Sequence, residues 1–127
     1  MKLSLKCQLP ALVTISALWT SGPVCADQSP NGAKALLRQC EAMLSGEAEV
    51  EARMTCENTI WSSLQTIEAI EKQDLGTKPI YCAPQKISVV DGARLYVRFV
   101  NANPALLDLP AEHVLIQALK AAYPCTP

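Results

Sequence analysis

The residues of this chain that could do chemistry are six cysteines, one histidine, and scattered serines and carboxylates. His113 could act as a general base only beside an aligned nucleophile or second acid. Its neighbour Glu112 does not face it on a helix, because adjacent helical positions point in different directions. No serine after residue 26 lies in a nucleophile-elbow pattern. The sequence therefore predicts no catalytic residue and a surface position for His113.

The cysteines indicate a disulfide framework rather than a metal site. Two of the six lie in a predicted targeting segment, and the other four are Cys40, Cys56, Cys82 and Cys125. An even number of cysteines in a short exported domain is typical of disulfide bonding. A zinc site is disfavoured, because no Cys-x-x-Cys pair occurs and the single histidine is not near any cysteine in the sequence. We expect no metal and no cofactor.

The N-terminus has the features of a secretory signal. Two lysines precede an apolar stretch over residues 9–19, and the small residues that follow predict cleavage after Ala26. A membrane anchor would need roughly 20 apolar residues, whereas this run is shorter and contains Pro10. Acylation at Cys25 is an alternative, although the residues before it match a lipidation box poorly. We therefore predict that residues 1–26 are a cleaved signal and that the protein resides in the periplasm.

Composition limits the partners of the remaining domain, residues 27–127. Cleavage removes two of the eleven basic residues and none of the twelve acidic ones, which leaves a formal charge of −3. This mildly acidic balance without a basic stripe disfavours nucleic acid and anionic membranes as partners. The length fits one domain. With five aromatic residues after residue 26, the core must be mainly aliphatic.

Apolar periodicity predicts two helices in the N-terminal half. Residues 31–44 carry an apolar stripe at helical spacing, and Gly46 is placed to end that helix. A second helix begins in the acidic stretch 47–51 and breaks at residues 76–79. The predicted buried positions of the two helices are Leu36, Leu37, Cys40, Met43 and Leu44, then Cys56, Ile60, Leu64, Ile67 and Ile70.

Two further helices are predicted in the C-terminal half. Ser88 and Asp91 have the spacing of a capping box, and the helix they open runs to about Asn103. Pro110 suits the first turn of a fourth helix. Its predicted inner stripe is Ala111, Leu115, Ala118, Leu119 and Ala122. Strand signals are poor throughout. The predicted fold is all-α, a small domain of four to five helices stapled by two disulfides.

The helix map favours one disulfide pairing. Four cysteines allow three pairings, and spacing alone does not choose among them. A short turn between the first two helices makes them antiparallel, so Cys40 and Cys56 can face each other. Cys82 precedes the third helix and Cys125 follows the fourth, so both lie at the open end of a hairpin formed by those helices. We predict the pairs Cys40–Cys56 and Cys82–Cys125.

Four short motifs in the C-terminal half follow one another at characteristic distances. They are Tyr-Cys-Ala-Pro at 81–84, Phe-Val-Asn-Ala-Asn-Pro at 99–104, Leu-Pro-Ala at 109–111, and Ala-Leu-Lys-Ala-Ala-Tyr-Pro-Cys at 118–125. This order resembles the Rap/Tai family of immunity proteins, which neutralise peptidoglycan amidases delivered by type VI secretion. The resemblance implies an all-helical periplasmic domain, often a homodimer, that blocks an amidase by occupying its cleft. No residue of such a protein does chemistry.

The residues predicted to contact a protein partner form three groups. They are the acids Glu47, Glu49 and Glu51, then Trp61, Glu68 and Glu71, and then Gln85 and Lys86 in a loop beside Cys82. The favoured interpretation of the first acids is a solvated helix start, and that of Trp61 is a wider core stripe, with a contact anchor as its alternative. Acids near a helix C-terminus, here Glu68, Glu71 and Asp74, oppose the helix dipole and have no evident stabilising role.

The leading hypothesis is a periplasmic immunity protein that binds and occludes a peptidoglycan amidase effector of a type VI secretion system. The alternative is a periplasmic helical domain with a chaperone-like or structural role and no toxin partner. Salt-sensitive, stoichiometric binding to one folded enzyme would favour the first, and loose binding to many unfolded clients the second. The third hypothesis is a small enzyme. The sequence shows no constellation of paired acids, metal ligands, or nucleophile and base that would support it.

Overall fold

The computed structural model describes residues 32–73 and 78–126. Its elements are α1 (Ala33–Ser45), α2 (Val50–Lys72), α3 (Val89–Ala102), a 3₁₀ helix (Pro104–Leu106) and α4 (Ala111–Ala122). Within the described ranges there is no strand, only an isolated bridge between Gly32 and Pro110. The predicted all-α fold and number of helices are confirmed. The predicted signal, residues 1–26, lies outside the described residues.

The first helix ends as the sequence predicts. Gly46 adopts a left-handed conformation with φ 79°, and its N–H donates to the carbonyl of Met43. Glycine is favoured there because a side chain would strain this backbone conformation. Leu36 and Cys40 of the predicted stripe are buried. Leu37, Met43 and Leu44 are partly buried and pack against that core.

The first turn of α1 is capped by backbone rather than by a side chain. The N–H of Ala33 donates to the carbonyl of Leu109 at 2.9 Å, and that of Lys34 donates to Leu107 at 3.2 Å. These bonds satisfy N–H groups that a helix leaves unpaired at its start. Tyr96 of α3, fully buried, donates its hydroxyl to the Ala33 carbonyl at 3.1 Å. The segment before α4 and the middle of α3 therefore both hold the start of α1.

The long second helix buries one stripe, made of Cys56, Ile60, Leu64 and Ile67. The prediction that Ile70 continues this stripe is wrong, because Ile70 is 41% exposed. Three residues after Ile67, it lies roughly 60° round the helix from that residue and close to the end of α2. Its side chain consequently falls beyond the edge of the packed face.

The third helix begins with the predicted serine cap. The Ser88 hydroxyl oxygen accepts from the N–H of Asp91 at 3.1 Å and donates to the Asp91 carboxylate at 2.6 Å. The carboxylate thus meets the hydroxyl instead of the Ser88 N–H that a capping box would use. Pro110 directly precedes α4. Ala122, predicted to face inward, is exposed at the C-terminal end of that helix.

The buried core is aliphatic with one aromatic member, as the composition predicts. Its fully buried side chains of largest volume are Tyr96, Ile60, Leu115, Leu119, Val100, Val114, Cys40 and Cys56. All four α-helices contribute to it. Burial raises the pKa of the Tyr96 phenol, and the nearby charge of Glu112 adds to this shift. The phenol therefore stays neutral and can act as the hydrogen-bond donor to α1.

Both predicted disulfides are present. Cys40–Cys56 joins α1 to α2 with its Cα atoms 5.1 Å apart, and Cys82–Cys125 joins the segment before α3 to the one after α4 with Cα atoms 4.9 Å apart. Their environments differ. Cys40 and Cys56 are 0% exposed, whereas Cys82 and Cys125 lie at the surface.

This difference predicts stepwise reduction. A mild reductant under native conditions should open Cys82–Cys125 first, because thiol exchange requires access to a sulfur atom. Cys40–Cys56 should react only when the domain unfolds. Mass spectrometry after timed alkylation measures the order. A Cys82→Ser/Cys125→Ser variant is the control and should incorporate no label at early times. Equal labelling rates for the four cysteines would contradict the structure.

The contact between α2 and α3 depends on a glycine. A Cβ atom placed on Gly92 would lie 2.8 Å from Cγ2 of Ile60 and 3.5 Å from Cδ1 of Leu64. The Ile60 side chain is fully buried, and its Cγ2 is attached to the stiff β-branch, so it has little freedom to move away. Gly92 thereby permits the two helices to approach closely.

We predict that Gly92→Ala destabilises the protein by about 1 kcal/mol, measured by urea unfolding. Overpacking costs about 1–3 kcal/mol and exceeds the roughly 1 kcal/mol that alanine gains over glycine in a helix. Val90→Ala, at an exposed position of α3, is the control and should change the free energy of unfolding by less than about 0.5 kcal/mol. Stabilisation by Gly92→Ala would show that the helices are not in close contact there.

Candidate protein-binding surface

The described residues offer no evident constellation for catalysis. No group of three or more His, Cys, Asp or Glu in the described ranges is placed to hold a metal ion. His113 is exposed on α4, as predicted. The features that stand out are instead an exposed apolar face on α2, acidic residues around it, and a groove beside the Cys82 loop.

Three exposed apolar side chains lie on one face of α2. Val50 is 74% exposed, Met54 53% and Trp61 56%. At about 100° per residue, these positions fall within about 40° of one another around the helix axis. They are hereafter called the α2 ridge. The interpretation of Trp61 as part of the core is wrong, because it lies roughly 100° round the helix from its neighbour Ile60, which faces the core.

Acidic residues surround the start of the ridge. Glu47, Glu49 and Glu51 are all exposed, and Glu49 is the N-cap residue of α2 without a capping hydrogen bond from its side chain. Glu57 lies one helical turn before Trp61, where its carboxylate accepts from the Arg53 guanidinium at 2.9 Å. Glu51 and Trp61 thus lie on the same helix, Glu47 and Glu49 lie in the segment just before it, and Arg53 is the one basic residue among them.

The second acidic group has the stabilising role that the sequence did not reveal. The Glu68 carboxylate binds Lys72 at 2.7 Å and Lys86 at 3.4 Å. The Glu71 carboxylate accepts from the N–H of Ile80 at 2.9 Å. The expectation that these acids lack a structural reason is therefore wrong for Glu68 and Glu71, since both hold the 78–88 loop against α2. Asp74, the third member, lies outside the described residues.

An open groove of about 420 Å³ separates this loop from α2. From α2 it is lined by Leu64, Gln65, Glu68 and Glu71, and from the loop by Pro79, Tyr81, Cys82, Ala83, Gln85, Lys86 and Ile87. The predicted loop residues Gln85 and Lys86 therefore line the same groove as the predicted acids Glu68 and Glu71. Lys86 and its ion pair with Glu68 bridge the two sides.

The loop is fixed at its middle by the exposed disulfide and its neighbours. Besides the Cys82–Cys125 bond, the N–H of Cys82 donates to the Tyr123 carbonyl at 2.9 Å. The rings of Tyr81 and Tyr123 lie 6.3 Å apart, in the range of favourable aromatic pairs. Burial raises the pKa of Tyr81, with smaller contributions from the charges of Glu71 and Glu68.

The ridge and the groove are continuous along α2. Gln65 follows Trp61 by one helical turn and lines the groove, so the ridge ends where the groove begins. The sequence predicted Trp61, Glu68 and the loop as partner contacts, which stay predictions, and it did not single out Val50 and Met54. Val50 and Met54 share the helix face of Trp61 and lie off the buried stripe that contains Cys56. This spacing is the sequence signal that could have identified them.

The ion pairs of Glu68 lower the pKa of its carboxyl group, and this shift can be measured. The hydrogen bond from Lys72, and then that from Lys86, holds the pKa of Glu68 below its usual value. A lowered pKa in the folded state means that these pairs stabilise the protein above the unfolded pKa of Glu68 and that this contribution is lost as the pH falls through the folded value.

We predict that Lys72→Met and Lys86→Met each raise the pKa of Glu68, with the larger rise for Lys72→Met because its hydrogen bond is the stronger cause. Carboxyl-carbon NMR titration measures the shift. Lys120→Met, on α4 and outside these ion pairs, is the control and should leave the pKa of Glu68 unchanged. An unchanged pKa in both test variants would mean that the pairs do not form in solution.

Comparison of the sequence with known proteins gives one match. The family model for Rap1a immunity proteins matches residues 32–125. No curated protein and no solved structure matches the chain. In the part of the chain that the structure describes, no helix is long and apolar enough to cross a membrane. The matched range contains α1 to α4 and all four paired cysteines. The chain belongs to the Rap1a immunity protein family, whose members act by binding a partner effector.

Proposed function

We propose that this protein is exported to the periplasm, where it binds a peptidoglycan amidase effector of a type VI secretion system and blocks the cleft of that enzyme. The match of residues 32–125 to the Rap1a immunity proteins carries this proposal. Residues 1–26 serve as the cleaved signal, and residues 27–127 form the inhibitory domain. The protein inhibits by steric occlusion, without chemistry of its own.

The two disulfides support an exported location. Disulfides persist in oxidising compartments such as the bacterial periplasm and are rare in the cytosol. One of them, Cys82–Cys125, is exposed, so a cytosolic reductant would reach it. An effector that degrades peptidoglycan also acts in the periplasm, and its inhibitor must therefore fold there.

The rigidity of the domain suits inhibition by occlusion. A surface that is already ordered before binding loses little conformational entropy when it docks. Here the disulfide Cys40–Cys56 fixes α1 to α2, and the disulfide Cys82–Cys125 with the Lys86–Glu68 pair fixes the loop beside the groove. Negative charge near the binding surface would speed the capture of a positively charged partner.

The exposed apolar residues fit one folded partner better than many unfolded clients. Surfaces that capture unfolded chains present broad apolar patches. Among the described residues, five large apolar side chains are exposed. Two of them, Ile70 and Val90, lie away from the α2 ridge, and the other three form it. A ridge of three side chains along one helix face is of the size expected for an anchor in a specific interface.

We predict that the full-length chain protects Gram-negative cells from lysis when an amidase effector of the same bacterium is delivered to their periplasm. A version without residues 1–26 should fail to protect, because it would stay in the cytosol. Lysis is followed by optical density, and the compartment by cell fractionation. Lysis in both cases, with the full-length protein folded and periplasmic, would overturn the proposed function and favour a chaperone-like role.

A further inference from the structure

We infer that the α2 ridge is the surface on which the effector docks, with Trp61 as its anchor and an apolar patch bordered by lysine or arginine side chains as the complementary surface. This inference rests on the proposed function and adds to it the docking surface and the chemistry of the partner. Three observations support it: the exposure of the α2 ridge, the position of Trp61 on it, and the charges beside it.

Packing among the described residues leaves the ridge exposed. Val50, Met54 and Trp61 are each more than half exposed, although α2 has a separate buried stripe that accounts for its packing. None of the three belongs to that stripe or to the Cys40–Cys56 disulfide. Exposed apolar side chains of this size grouped on one helix face are characteristic of interaction sites.

Trp61 has the position of an anchor. It stands between Met54 and the groove whose α2 side begins at Leu64 and Gln65, so a partner bound over Trp61 would also reach the groove. Tryptophan is enriched among residues whose truncation weakens interfaces most, because it buries a large area at small cost in side-chain entropy. Met54, two helical turns before it on the same face, can adapt its shape to the partner.

The charges beside the ridge define the partner. Between Gly46 and Trp61 the chain has four carboxylates and one guanidinium. Of these, Glu57 is paired with Arg53, while Glu47, Glu49 and Glu51 are exposed beside Val50. A partner surface with lysine or arginine side chains around an apolar patch would complement this arrangement.

The same charges argue against a second copy of this chain as the occupant. A two-fold contact brings the same patch of both subunits together. In a contact centred on the ridge, the surplus of carboxylates would face an identical surplus, which is repulsive. Dimerisation through another face of the domain remains compatible with the ridge being used for the effector.

The test uses the exported protein and the purified amidase that the wild type neutralises in the protection assay. Trp61→Ala should raise the dissociation constant at least about 30-fold, the effect expected of a central anchor, and should reduce protection. The matched control is Ile70→Ala, since Ile70 is also exposed on α2 but lies about 180° round the helix from Trp61. This control should bind as tightly as the wild type. Circular dichroism checks that both variants are folded.

A second readout observes Trp61 directly. The chain has two tryptophans, and the other, Trp19, lies in the predicted signal. Protein labelled with 5-fluorotryptophan should show a changed fluorine resonance for Trp61 when unlabelled amidase is added, because the indole becomes buried. Trp61→Phe assigns the resonance. Glu51→Gln combined with Glu57→Gln should slow association, most strongly at low ionic strength.

Each alternative result has a distinct meaning. Wild-type affinity in Trp61→Ala, or an unchanged fluorine resonance in the complex, would overturn the docking surface and leave the proposed function intact. Loss of a dimer in Trp61→Ala during sedimentation, with amidase affinity unchanged, would assign the ridge to a second copy and also overturn the inference. Failure of the wild type to bind or protect would overturn the proposed function, and with it the partner assigned to the ridge.

Discussion

The arrangement of this domain depends on the fully buried Cys40–Cys56 bond between α1 and α2. In a chain of this size the aliphatic core alone gives limited stability, and a covalent link inside that core fixes which face of each helix points inward. Once Cys56 is held against α1, the stripe from Cys56 to Ile67 is committed to the interior. The side of α2 that carries Trp61 is thereby committed to the surface, so the position of the candidate interface follows from the position of a disulfide.

The second half of the chain completes the domain by holding the N-terminal hairpin at two points. Tyr96 and the loop before α4 bind the first turn of α1 through Ala33, and Gly92 allows α3 to lie close against Ile60 and Leu64 of α2. At the other end the Cys82–Cys125 bond keeps the loop in place beside α2. The groove therefore forms between α2, which is held by core packing, and the 78–88 loop, which is held by the Cys82–Cys125 disulfide and the Lys86–Glu68 ion pair.

The sequence predicted the helices and the disulfides because both depend on local or topological rules. Apolar spacing, Gly46 and the Ser88 cap are local signals, and the order of helices restricts which cysteines can meet. It failed where the answer depended on neighbouring elements. A periodic pattern extends to Ile70 whether or not anything packs there, and nothing in the sequence shows that Glu68 meets Lys86 or that Glu71 meets the Ile80 N–H. For the same reason Trp61 could be assigned to the surface only once the packing of Ile60 was known.

The acidic residues around the ridge solve a problem that an exposed anchor creates. An apolar side chain such as Trp61 that is available to a partner is equally available to another copy of the same protein. Carboxylates at Glu47, Glu49 and Glu51 disfavour that self-contact, because equal charges would meet, and they favour approach of a surface with the opposite charge. If the effector docks on the ridge as proposed, the same residues would keep the free protein from associating through its ridge and would accelerate capture of its partner. In an immunity protein, which must stay available until a toxin arrives and then bind before damage is done, both effects act in the direction that function requires.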